Sequence, residues 1–174
     1  MNSIQLLRDQ LKSAHDTQEA TIADLTEKSA HFNPAGDAIP AGAAYVHSVL
    51  GEDMVLSSML MQKTPLSDGM SAKEMGLSEK MPTFDKWAGH LKWYKSVKVD
   101  LAKFKEFAKK VYEETDKYLE SLSEEDLDKE IERPVIGSHT LAFFINNFII
   151  LHIANLTGEI SAAKGLQGPK GYPF

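Results

Sequence analysis

The sequence predicts an all-α protein, an up-down four-helix bundle. Four long stretches repeat apolar residues at helical spacing, polar connections bearing glycine and proline separate them, and no convincing run of alternating β-branched residues occurs. At 174 residues the chain is read as one domain, 1–174, long enough to bury a core.

The first helix is expected over about 3–28. Ile4, Leu7, Leu11, Ile22 and Leu25 share a stripe, and Ala14 and Gln18 continue it. Asn33-Pro34-Ala35-Gly36-Asp37 breaks the pattern, and Pro40 marks the start of a second helix over 40–62. His47, Leu50, Met54, Ser58 and Met61 lie on one face of it. A long connection, 64–99, follows. Pro65, Gly69, Gly76 and Pro82 make 64–83 a loop with at most a short turn, and 85–95 can form a short helix carrying Trp87, Leu91 and Tyr94. The third helix, 100–122, has Asp100 as N-cap ahead of Leu101, Phe104, Ala108, Val111, Thr115, Tyr118 and Leu122. After a polar loop, 123–134, Ser138 caps a last helix that ends near Lys164-Gly165, a cation followed by glycine. The tail, 165–174, holds three glycines and two prolines and is expected to be irregular.

Composition narrows the function classes. With 25 acidic against 19 basic residues the net charge is -6, and the dispersed lysines give no basic footprint for nucleic acid. The absence of cysteine excludes disulfides, thiolate metal sites and a cysteine nucleophile, and fits a cytoplasmic protein. Residues 1–11 carry charges among their apolar residues and lack a signal-peptide core. The most apolar stretch, 141–156, contains Asn146, Asn147, His152 and Asn155. It falls short of the about 20 apolar residues of a membrane span and reads as a buried helix. Neither a Gly-x-Ser-x-Gly elbow nor a Gly-x4-Gly-Lys phosphate loop occurs.

Of the six histidines, His47 and His152 lie on strongly apolar helix faces. A buried imidazole is costly unless a partner satisfies it. The two are therefore either satisfied core histidines or ligands in a bundle interior, where facing helices build metal sites.

The segment His152-Ile-Ala-Asn-Leu156-Thr-Gly158-Glu159-Ile160, followed by Lys164-Gly165-Leu166-Gln167-Gly168, resembles the DinB-like (DinB/YfiT) superfamily. Weaker matches in the same order are the Pro40, His47, Glu52 segment and Val111 to Leu122. The resemblance implies a four-helix bundle, often dimeric, in which many members hold a divalent metal with one histidine on helix two and a His-x3-His pair on helix four. Residues four apart share a helix face, so both imidazoles of such a pair reach one ion. On this chain His47 and His152 match two of the three ligands, and Leu156 occupies the third position. The site is accordingly degenerate, and no cofactor is expected; any metal would be a divalent ion such as zinc or nickel. Asn155, Glu159 and His15 are the candidates near that pocket for a replacement ligand, with Glu159 also readable as a structural carboxylate. Glu52 and Asp53 follow His47 too closely to share its face fully.

Two further readings concern partners. Trp87, Trp93, Tyr94 and Phe104 either pack in the core or line a pocket for a small apolar ligand. Phe143, Phe144, Asn147, Leu151, Ala154 and Gly158 form a second apolar stripe on the last helix, to be covered by the 64–83 loop or by a second subunit. The resemblance favours the homodimer. Three functions follow: a binding or interaction module without catalysis, a metal-dependent hydrolase or thiol S-transferase-like enzyme with a rebuilt site using His47 and His152, and a binder of a small apolar ligand in the interhelical cleft.

Overall fold

A computed structural model describes residues 2–82 and 87–174, without the side chains of residues 87 and 88. Helix α1 spans Ser3–Ile22 and is capped by Asn2, whose side chain accepts from the Gln5 amide. It stops short of the expected position 28. Thr26 bonds forward to the Ser29 amide in a capping box and starts a new turn, α2 (Glu27–Ala30), which competes with continuing the helix. Helix α3 spans Ala41–Met54 behind Pro40 and runs on as a π-helical segment, Val55–Leu60.

The long connection is more ordered than the sequence suggests. A 3-10 turn, Leu66–Gly69, precedes α4 (Ala72–Met75), which Ser71 and Glu74 close with a capping box. Asp53, buried on α3, accepts from the amides of Leu66 at 3.0 Å and Ser67 at 2.9 Å and so fastens the connection to the bundle. Gly76 has φ +82°, and a Cβ there would lie 2.7 Å from Lys103 Cβ and 2.9 Å from the Asp100 carbonyl oxygen. Only glycine suits this close approach. A bridge pairs Leu77 with Val99. Helix α5 spans Trp87–Ser96; the start expected at Asp85 lies outside the described residues.

Asp100 caps α6 (Leu101–Glu120), accepting from the Lys103 amide. The loop expected over 123–134 holds α7 (Glu124–Leu127) and the first strand of a hairpin, β1 (Glu130–Arg133), paired antiparallel with β2 (Gly137–Thr140). This corrects the expectation of a polar loop there, within a fold that is otherwise helical. β1 carries a single apolar residue, Ile131, so alternation leaves no trace; the turn, with Val135 at φ 72° and Gly137 at φ 92°, sets the pairing. Ser138 is consequently a strand residue, and Thr140 caps the last helix instead by accepting from the Phe143 amide.

That last helix is continuous over Leu141–Gly165, as α8 (Leu141–Ile145), a π-helical turn (Asn146–Ile150) and α9 (Leu151–Gly165). By length and composition it could cross a membrane, but it packs against α1 and α3 as the core helix of a bundle. With α1, α3 and α6 it completes the four-helix arrangement. Two apolar clusters fill it: Tyr45, Val49, Phe104, Val111 and Ile160 belong to one, Leu11, Val55, Leu119, Ile145 and Ile153 to the other. Near the junction of the two clusters lies a polar waist drawn from all four helices. Gln18 Nε2 donates to Ser48 Oγ at 2.9 Å and Thr157 Oγ1 at 3.2 Å, and Glu52 accepts from Thr115 Oγ1 at 2.6 Å. The tail folds back on α9, where a Cβ at Gly171 would collide with Ser161.

Candidate functional site

His47 and His152 meet across the bundle. Their ring centroids lie 5.0 Å apart with the planes at 69°, and His47 also stacks on Tyr94 of α5 at 5.1 Å. The approach of α3 to α9 depends on Gly51, one turn beyond His47, where a Cβ would come 3.0 Å from His152 Nε2. Burial lowers the His47 pKa to about 4, helped by the nearby His152 and His90. Burial also lowers the His152 pKa, against the opposing field of Glu52. Both rings are therefore neutral at pH 7.

The remaining candidates do not join them. Leu156 is 3 % exposed and packs in the apolar cluster with Ile160. Asn155 points to solvent. A one-residue step from His152 toward the other ligand position turns a helical side chain by about 100°, and Asn155 and Leu156 differ in that way. Glu159 sits at the rim of a cavity beside His47, where partial burial raises its pKa. His15 does point inward, but Glu52 holds it: His15 Nε2 and Glu52 Oε2 are 2.9 Å apart. Among the described residues no three His, Cys, Asp or Glu side chains group closely enough to hold a metal ion. Two imidazoles backed by a buried leucine do not fit the three-ligand site that the family resemblance implies.

Space opens on both sides of His47. A cavity of about 290 Å³ lies against Ile39, Ala163 and Leu166, with Glu159 and Asp37 at its edge. A second, of about 330 Å³, is walled by Leu50, Met54, Met75, Met81 and Tyr94, and carries His47, His90, Ser67, Asp68 and Lys80 as polar groups. Of the aromatics expected to line a pocket, Tyr94 does so. Trp93 and Phe104 are core residues, and the Trp87 side chain lies outside the described residues.

Sequence reasoning missed one cleft residue, His90, and left the partners of Glu52 unread. His90 lies one turn before Tyr94 on α5, a spacing that places both on one face, yet α5 was too short for its periodicity to show this. Glu52, 1 % exposed, lies five residues after His47 and thus faces α1 and α6 instead of the His47 cleft. The apolar stripe assigned to a second subunit is also divided. Phe144 is wholly buried in its own chain and a Cβ at Gly158 would lie 3.5 Å from the Tyr172 hydroxyl, while Leu151 remains 44 % exposed.

The chain is similar in fold to a conserved protein from Enterococcus faecalis known from its crystal structure. The two superpose with a TM-score of 0.75 at 22 % identity, over 95 % of this chain and 99 % of that one. No curated protein matches the sequence. A sequence model described as the DinB superfamily matches residues 10–155, a span that includes His47 and His152 and ends one residue before Leu156. The chain belongs to the DinB superfamily.

Proposed function

We propose that this protein is a metal-free binding module of its superfamily, taking a small, mainly apolar molecule in the cleft between α3, the 65–81 connection and α5. The observation that carries the reading is the cleft itself: about 330 Å³ of space walled by three methionines, a leucine and a tyrosine, with His47 and His90 at one side. Volumes of about 300–1,000 Å³ lined by apolar groups with few polar ones suit small ligands. Methionine adapts to varied apolar shapes, and an imidazole can hydrogen-bond to orient the ligand. Leu156 in the third ligand position supports a role without metal, and with it a role without metal-dependent catalysis.

Native mass spectrometry of the purified chain, followed by titration with the fluorescent apolar probe anilinonaphthalene sulfonate, tests this. The expected result is saturable binding of one probe per chain, lost in Met54→Trp, which fills the cleft from a half-exposed position. Probe binding that survives Met54→Trp unchanged overturns the assignment.

The second part of the proposal is a homodimer through the outer face of α9. Leu151 supports it, since burying its 44 % exposed side chain would be worth about 1 kcal/mol. Light scattering should give twice the chain mass for the wild type and the monomer mass for Leu151→Arg. A wild-type monomer at micromolar concentration contradicts it.

A further inference from the structure

We propose that Met54 is a peroxide-sensitive modification site, and that its oxidation weakens ligand binding in the cleft between α3, the 65–81 connection and α5. This rests on the cleft being a ligand site. The chain has seven methionines and no cysteine, so no thiol competes for a two-electron oxidant. Among the described methionines Met54 alone is exposed, at 50 %. It is also part of the cleft wall, beside Leu50, Gly51 and Ser58 of the same helix. The other two methionines of that wall are less open. Met75 is 1 % exposed, and the half-buried Met81 has its sulfur accepting from the Tyr94 hydroxyl at 3.8 Å. Met54 closes the α-wound part of α3, between Asp53 and Val55, both buried, and the helix runs on without a break. Its exposure therefore belongs to an ordered helix and not to a frayed end.

The oxidant is hydrogen peroxide, and the step needs no group from the protein. The Met54 sulfur attacks one peroxide oxygen, an S–O bond forms and the O–O bond breaks. The oxygen now on sulfur gives its proton to the departing one, which leaves as water. Sulfur is oxidised by two electrons and the peroxide is reduced by two. The product is a sulfoxide, which turns a flexible apolar side chain into a polar one. Leucine at this position would supply similar apolar surface and none of this chemistry. A mainly apolar ligand seated against the sulfoxide would cover a strong acceptor while offering it no donor, and such burial is costly. A dithiol-dependent sulfoxide reductase reverses the change: two thiols become a disulfide, and the oxygen leaves as water.

Brief treatment of the full chain with hydrogen peroxide, followed by peptide mass spectrometry and titration with anilinonaphthalene sulfonate, tests the site. Met54 should be half converted, with the gain of one oxygen, while Met75 is still reduced. Protein fully oxidised at Met54 should bind the probe about tenfold more weakly, with its far-ultraviolet circular dichroism unchanged. Sulfoxide reductase with dithiothreitol should restore the affinity. Met54→Leu, compared with its own untreated affinity, should not weaken on the same treatment. Oxidation of Met75 or Met81 ahead of Met54, or full conversion of Met54 with affinity unchanged, overturns this proposal and leaves the cleft reading standing. Untreated wild type that takes up no probe overturns the cleft reading and this proposal with it.

Discussion

Replacing Glu52 by alanine should remove more stability than any other single polar substitution in the bundle. The carboxylate is 1 % exposed and accepts from His15 Nε2 at 2.9 Å and Thr115 Oγ1 at 2.6 Å. Thr115 keeps a second acceptor, the Val111 carbonyl at 3.0 Å, so its hydroxyl is not orphaned by the change. His15 has no such alternative. Its Nε2–H would be left buried and unpaired at a cost of about 1–3 kcal/mol, and the cavity left by the side chain adds to this. The sum, about 3–4 kcal/mol, approaches that of breaking a buried ion pair. For a chain of this length, about 2–4 °C of melting temperature is lost per kcal/mol, giving a fall of roughly 10 °C. Circular dichroism melts and urea titration measure it, with the urea midpoint falling at constant slope. The double change His15→Phe, Glu52→Leu should recover part of the loss, because it removes donor and acceptor together. A fall below about 1 kcal/mol in Glu52→Ala would refute the role given to the waist.

Three further outcomes follow. His47 has a folded pKa of about 4 against an ordinary 6.5, so the unfolded chain takes up its proton first as pH falls. Its contribution is fully present above pH 6.5 and is lost between 6.5 and about 4, amounting to about 3 kcal/mol; chemical denaturation across that window should show a slope that His47→Leu flattens. Gly76→Ala should destabilise by about 1–3 kcal/mol, through its left-handed backbone and the contact with Lys103 and Asp100, measured as a lowered melting temperature. Leu156→His should raise zinc affinity by at least about tenfold in calorimetric titration, by returning an imidazole one turn from His152; unchanged affinity would show that position 156 does not face the His47 pair.

Much of this was legible in the sequence because helical periodicity reports burial directly. The spacing of Leu101, Phe104, Ala108 and Val111, with Asp100 in front, placed α6 to within two residues of its observed end. The pairing of His47 with His152 followed from two imidazoles on two apolar faces, sharpened by the family resemblance. What failed did so for identifiable reasons. The π-helical turn Asn146–Ile150 adds a residue to the winding, about 100° of rotation, so a stripe drawn straight from Phe144 to Leu151 joins a buried residue to an exposed one. The hairpin has too few apolar residues to alternate, and the polar waist looks like ordinary surface composition until the helices are assembled. Glu52 and His15 come from segments 37 residues apart, and only packing brings them to 2.9 Å.

The central claim, binding without a metal, is tested most directly by elemental mass spectrometry on wild-type protein. It should be expressed in medium supplemented with zinc and nickel and purified without chelators. The account predicts bound metal well below one equivalent per chain, because His47 and His152 form a pair and the position matched to a third ligand is a buried leucine. One equivalent of zinc or nickel retained through gel filtration, and lost in His47→Ala, would contradict it.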